Sequence, residues 1–266
     1  MKKWIVMLLA LTMMMTCALA QAQTLRVGME CNYAPYNWTQ SEPSDEAVAI
    51  AAGGYADGYD VRIAKRIAQE LGMDLEIVKT EWDGLTPALL SGNIDVIIAG
   101  MSPTAERKLT IDFTDAYYVT ELTVVVRKDS AYAAAASLAD LAGAKITGQM
   151  STFHYDMVDQ IPGVKKMPAQ DTFSTMIVAV SSGAMDGYIA DIPGAVSATS
   201  ANPDLTYLTF AEGQGFTVDP ESAEIAVGIR QGSELKEQIN AILAEISDEE
   251  RNEIMIAAVA AQPLSE

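Results

Sequence analysis

The sequence predicts an α/β protein built as two similar lobes across a cleft, and three observations carry that expectation. Short β-branched or apolar runs alternate with segments of helical periodicity, the order that gives parallel strands flanked by helices. The alternation runs through twice, with a polar, alanine-rich boundary at 128–136. Each pass also contains a related decapeptide. SGNIDVIIAG at 91–100 and SGAMDGYIAD at 182–191 agree at five of ten positions, the leading Ser-Gly and the central Asp among them. That match predicts that Gly100 and Asp191 end corresponding strands, one in each lobe. Extended stretches around 124–129 and 224–230 would link the lobes.

The first pass opens with a short strand at 25–28, which leaves through a loop where Tyr33, Tyr36 and Trp38 gather around Pro35. Three aromatics on one loop at a strand end can form a binding wall or a packing cluster. Residues 40–58, with their Ser, Pro, Asp and Gly, read as an excursion of hairpin type. Asp60 is placed to cap a helix to Leu71, with Val61, Ala64, Ile67, Ala68 and Leu71 on one face. Gly72 closes that helix, and a strand at 73–79 follows.

The next stretch, EWDGLTPALLSGNIDVIIAGMSPTAER at 81–107, concentrates the chemistry. A short helix at 82–91 ends at Gly92, and a buried strand at 94–99 stops at Gly100. Ser102-Pro103 then reads as N-cap and first position of a new turn that bears Arg107. A strand's carboxyl end, a bare glycine backbone, a hydroxyl, a helix start and a guanidinium thus converge within eight residues. In open α/β sheets ligands bind at such strand ends, and this equipment suits a carboxylate. The plainer alternative is an ordinary strand-turn-helix with a surface arginine.

After a β-branched strand at 121–127, the second pass repeats the scheme. Ser137 and Asp140 resemble a capping box. A strand at 145–147 meets the turn Gly148-Gln149-Met150-Ser151-Thr152, which opens a helix to about 160. Strands at 164–168 and 185–190 flank a helix that Asp171 is placed to cap. A helix at 193–200 and a strand at 205–210 complete the block. The strand at 224–230 leads to a helix capped by Ser233, with Leu235, Ile239, Ile242, Leu243 and Ile246 on one face. Ser247 and Glu250 form a capping box for the last helix.

Composition bounds the partners. Half of the 266 residues are hydrophobic, which marks a globular chain with ample length for a core. The formal charge of −19 argues against a nucleic-acid backbone or an anionic membrane surface. The N-terminus has the form of a secretory signal: Lys2 and Lys3, an apolar run at 4–16, and Ala18-Leu19-Ala20 as a cleavage site. Cleavage after Ala20 or Ala22 fits; a lipid anchor on Cys17 is the alternative, with Thr16 a poor neighbour for it. Once the leader is gone Cys31 is the only cysteine, so no intrachain disulfide forms. His154 is the only histidine and reads as a structural or surface residue. No metal cluster or cofactor motif stands out, and no cofactor is expected.

Three segments, GYDVRIAKRIAQELG (58–72), EWDGLTPALLSGNIDVIIAGMSPTAERKLTIDFTDAYY (81–118) and DGYIADIPGAVSA (186–198), resemble the bacterial solute-binding proteins of the polar amino-acid type, the extracellular receptors of ABC importers. They cover the body of the chain in the right order. The resemblance implies an α/β, two-lobed type II periplasmic-binding-protein fold with two hinge strands. Lobe 1 would hold 24–127 and 225–266 and lobe 2 would hold 128–224, behind a signal peptide at 1–22. It implies a secreted, non-enzymatic monomer whose partners are a free amino acid and the membrane subunits of an ABC permease. No nucleic acid is among them.

Carried onto these residues, the resemblance makes Arg107 a bidentate clamp for the ligand's α-carboxylate, supported by the backbone N–H and hydroxyl of Ser102. Gly100 would offer its carbonyl to the α-ammonium and Asp191 would pair with it. Ser151 and Thr152 would give backbone N–H groups to the carboxylate, although Met150 stands where the family often has glycine. Tyr33 and Trp82 would wall the side chain, and Glu30 at the pocket floor would favour a cationic or polar amino acid. Two alternatives share the clamp. One is a dehydratase of cyclic carboxylates, with Glu30 as its general acid; the other is a soluble sensor subunit for a membrane receptor.

Overall fold

The computed structural model describes residues 23–263, so the leader, Cys17 and the last three residues lie outside the described part. Two five-stranded sheets share one layout. In the first, Thr24–Met29 runs parallel to Asp74–Lys79 on one side and Val96–Ile97 on the other. Glu224–Ile229 follows antiparallel to Val96–Ile97, and Asp112–Val119 closes the edge. In the second sheet Lys145–Thr147 runs parallel to Lys165–Lys166 and Gly187–Asp191. Leu122–Arg127 follows antiparallel to Gly187–Asp191, and Leu205–Tyr207 closes that edge.

The sheets are therefore mixed, where the alternation of elements predicts parallel ones. The physical reason is the crossing of the chain: the strand beside each central strand arrives from the other sheet and runs the opposite way. Sheet membership also moves the boundary read from the sequence. Leu122–Arg127 pairs into the second sheet, so the chain crosses at 120–121 and returns between Tyr207 and Glu224. A β-branched run carries no mark of which sheet it will join; its cross-strand partners decide. The decapeptides occupy matching strands, with Gly100 just past Val96–Ile97 and Asp191 closing Gly187–Asp191.

Local chemistry explains most element ends. Tyr59–Leu71 buries Val61, Ile63, Ala64, Ile67 and Ala68, and ends on Gly72 at φ 65°. Its N-cap is Gly58 rather than Asp60, because a Cβ at 58 would collide with the Tyr36 carbonyl. Asp60 instead lies buried in the first turn and accepts hydrogen bonds from Tyr117 Oη and Asn37 Nδ2, both at 2.7 Å. Burial pushes its carboxyl up to about 6 against those two bonds. Ser102 gives way to Thr104 as the cap of Ala105–Lys108. Asp171 gives way to Thr172, and Ser233 to Glu234. In each case the structure starts the helix one or two residues later than the first capping residue in the sequence. The box at Ser137–Asp140 engages in both directions, whereas at Ser247 only half of it forms, the hydroxyl accepting from the Glu250 N–H.

The excursion at 40–58 joins a four-stranded antiparallel sheet in the order Asn32–Tyr33, Asn37–Gln40, Tyr55–Asp57, Val48–Ala49. One apolar core surrounds the first sheet and continues into Phe173, Met176, Val180 and Tyr188 of the second pass. A smaller core around Val124, Val126, Ile146 and Ile189 covers the second sheet. The C-terminal helix Asp248–Ala261 packs on Tyr59–Leu71 and on Ile192–Ala201. Beyond its end, Gln262 both accepts from the Ser197 hydroxyl and donates to the Ser197 carbonyl.

Candidate functional site

Between the facing edges of the two sheets lies a narrow cleft of about 10 Å³, closed down well below the ~300–1,000 Å³ of an open small-molecule site. Tyr33, Trp82, Gly100, Ser102 and Arg107 line it from one side; Gln149, Thr152, Phe153, His154 and Phe173 line it from the other. The sequence-predicted residues thus converge, with three qualifications. Asp191 stands behind Tyr33 and His154, Glu30 stands behind Gln149, and Ser151 borders the cavity through its carbonyl.

Arg107 is half-buried on the short helix that Thr104 caps. Its guanidinium donates to the Ser102 carbonyl at 2.9 Å and the Ser151 carbonyl at 3.2 Å, and lies 5.1 Å over the Trp82 ring. Trp82 Nε1 also donates to the Ser151 carbonyl, at 3.3 Å. Among the described residues no carboxylate forms an ion pair with Arg107. Desolvation pulls its pKa down to about 10, which leaves it a cation at neutral pH. A half-buried cation held by carbonyls and an indole face is well placed to receive a planar anion. Ser151 turns its carbonyl, not its N–H, towards the clamp, through a left-handed φ of 57°.

Asp191 is 2% exposed and sits at the N-cap position of Ile192–Ala201, yet its side chain does not cap that helix. One carboxylate oxygen accepts from Tyr33 Oη at 2.5 Å and the other lies 3.4 Å from His154 Nε2. Burial and the Asp191 charge push the Tyr33 hydroxyl well above its ordinary range, so it stays a donor. The Tyr33 ring stacks on Phe173 at 3.9 Å and joins the lobes. A Cβ on Gly100 or on Gly194 would come within 3.2 Å of that ring, so one glycine from each side makes room for it. Thr152 caps the turn into Phe153–Met157 and donates from its hydroxyl to the Gln149 carbonyl at 2.8 Å.

Glu30 is buried, with Gln149 Nε2 at 3.3 and 3.4 Å from its two oxygens. Desolvation pushes its carboxyl up to about 7, with the Gln149 contact opposing. Four lining residues escape the sequence reading: Gln149, Phe153, His154 and Phe173. His154 is neither on the surface nor at a hydrogen-bonded core position; it is 6% exposed and neither ring nitrogen has a hydrogen-bond partner. An unsatisfied buried polar group costs about 1–3 kcal/mol, so its place on the cavity wall is informative. Its closeness to the Ser151-Thr152 turn was the one available signal.

Fold and site together define a two-lobed α/β receptor of the type II periplasmic-binding-protein fold, with a cation and a carboxylate set on opposite jaws. The chain belongs to the bacterial extracellular solute-binding proteins, family 3, which it matches over residues 25–256. It is 28% identical over 262 residues to the arginine-binding extracellular protein ArtP of Bacillus subtilis (strain 168), covering 93% of this chain and 94% of that protein. It resembles the structure of an ancestral arginine-binding protein bound to arginine, with TM-score 0.71, 32% identity and coverage of 88% and 97%. It also resembles an ancestral amino acid-binding protein that is a precursor of cyclohexadienyl dehydratase, with TM-score 0.72, 29% identity and coverage of 89% and 95%. No helix among the described residues is long and apolar enough to cross a membrane.

Proposed function

We propose that this chain is the extracytoplasmic amino-acid receptor of an ABC importer, a monomer that closes two lobes on a free amino acid and presents it to the permease subunits. The observation that carries the reading is the half-buried Arg107, without an anionic partner among the described residues, set across the cavity from Asp191. Arg107 takes the α-carboxylate, with Ser102, Ser151 and Thr152 around it. Asp191 and the Gly100 carbonyl take the α-ammonium. Tyr33 and Trp82 flank the side chain. Lobe 1 comprises 24–121 with 224–263 and lobe 2 the segment between, a division that follows sheet membership.

A cationic or polar amino acid is the favoured ligand. Glu30, one contact behind the lining, supports that choice, as does the arginine bound by the relatives. Calorimetry with the twenty amino acids plus cystine and ornithine tests the reading: cationic or amide ligands should give heat, and silence across the panel would sink it. A dehydratase reading has one observation in its favour, the Glu30 carboxyl raised to about 7, as a general acid requires. Turnover of a cyclic carboxylate that vanishes in Glu30→Gln would establish it.

A further inference from the structure

We propose that His154 is a positioning and selectivity residue of the amino-acid site: its imidazole shares Asp191 with the ligand's ammonium, and its protonated form competes with that ammonium for the carboxylate. The proposal rests on the amino-acid reading above and deepens it by making binding proton-linked.

Two groups converge on the two carboxylate oxygens of Asp191. Tyr33 Oη already donates to one oxygen of Asp191, and His154 Nε2 lies 3.4 Å from the other. That separation is longer than a hydrogen bond, and neither imidazole nitrogen has a partner elsewhere. Two acceptors about this far apart can share one ammonium, which donates to a neutral imidazole nitrogen and to the carboxylate oxygen together. A protonated imidazole has no lone pair to offer at Nε2. It presents an N–H that closes on Asp191 itself, and it repels a second cation.

The ring has no easy retreat. Phe153 lies 4.5 Å away and Phe173 meets it edge-on at 6.0 Å, and the residue is buried. The ionisable groups around it come from every packed element. Asp191 comes from the central strand of the second sheet, and the Tyr33 hydroxyl and Arg107 face it from the other lobe. Glu30 stands behind Gln149, and Tyr155 and Asp156 follow on its own helix. The helix Phe173–Ser181 offers only an aromatic ring. Of the surrounding groups Glu30 has its carboxyl pushed up to about 7 by burial, so its part must be separated from that of His154.

Because His154 is the chain's single histidine, untagged protein gives one imidazole resonance to follow by NMR. Its titration is recorded with and without saturating L-arginine, L-lysine or L-glutamine. Binding should lower the midpoint by about one pH unit, the reciprocal of about a tenfold loss of affinity in acid. Calorimetry from pH 8 to pH 5 should show that loss in the wild type and in Glu30→Gln. His154→Gln should lose the slope, whatever its affinity at pH 8. An unmoved midpoint, or equal slopes in wild type and His154→Gln, overturns the proposal while leaving amino-acid binding intact. Silence of the whole amino-acid panel at pH 8 overturns the amino-acid reading and this proposal together. Should His154→Gln not fold, the wild-type titration decides alone.

Discussion

The two sheets have the same strand order, yet at matched strand ends one carries Gly100 and the other Asp191. Gly100 adopts φ 62° and leaves its space to the Tyr33 ring. Asp191 fills its own place with charge, and the first lobe supplies its charge further along, from Arg107 on the next turn. One scaffold therefore yields an open floor on one side and an anion on the other. A zwitterion is satisfied by neither lobe alone. On the proposed amino-acid reading it favours the shut state because only there would both of its charges find partners, and such differential contact is what any ligand-driven closure needs.

That contrast can be broken from either side. Arg107→Ala should have the largest effect, raising Kd at least about 30-fold in calorimetry, since truncating one member of a buried charge pair costs about 2–5 kcal/mol. Retention of wild-type affinity would remove Arg107 from the site. Asp191→Asn should weaken binding by tens of fold, about 2 kcal/mol, while small-angle scattering still shows closure at high amino-acid concentration. Trp82→Ala should cost about five- to tenfold through the lost guanidinium–indole contact, with Trp82→Phe recovering most of it.

Glu30 sharpens the comparison through stability. Its carboxyl is raised from an ordinary 4.5 to about 7, so between those values the folded chain holds a proton the unfolded chain has lost. Its contribution is therefore full below pH 4.5 and is lost as pH rises to 7, on the order of 3 kcal/mol. Urea unfolding of Glu30→Gln at pH 5 and pH 7 should show a flatter dependence than wild type. An unchanged dependence would mean that Glu30 ionises freely in the folded protein.

Much of this architecture was readable because it is written in local patterns. The helical face of Tyr59–Leu71, the glycine at 72 and the paired decapeptides need only spacing and backbone sterics to be recognised. Asp60 was misread for a good reason: an Asp at a helix start usually caps, and only the fold reveals Tyr117 and Asn37 waiting for it. The mixed sheets escaped because strand direction follows the crossings between lobes. In the site, the run from Gly100 to Arg107 advertises itself by chemistry packed into a few residues. Phe173 and Gln149 do not, since their roles come from contacts with Tyr33 and Glu30 more than a hundred positions away. His154 lacked even a second histidine to suggest a purpose.

The tie between Ser197 and Gln262 has a practical consequence. Covalently, the halves meet only where the chain crosses at 120–121 and where it returns before Glu224. The tail adds a non-covalent stitch on the very helix that begins at Asp191. A tag or fluorescent reporter fused after Glu266 therefore loads a lever whose other arm ends at Asp191. A biosensor made from this chain would do better with its reporter inserted in the 40–58 excursion, whose small sheet leaves that lever alone.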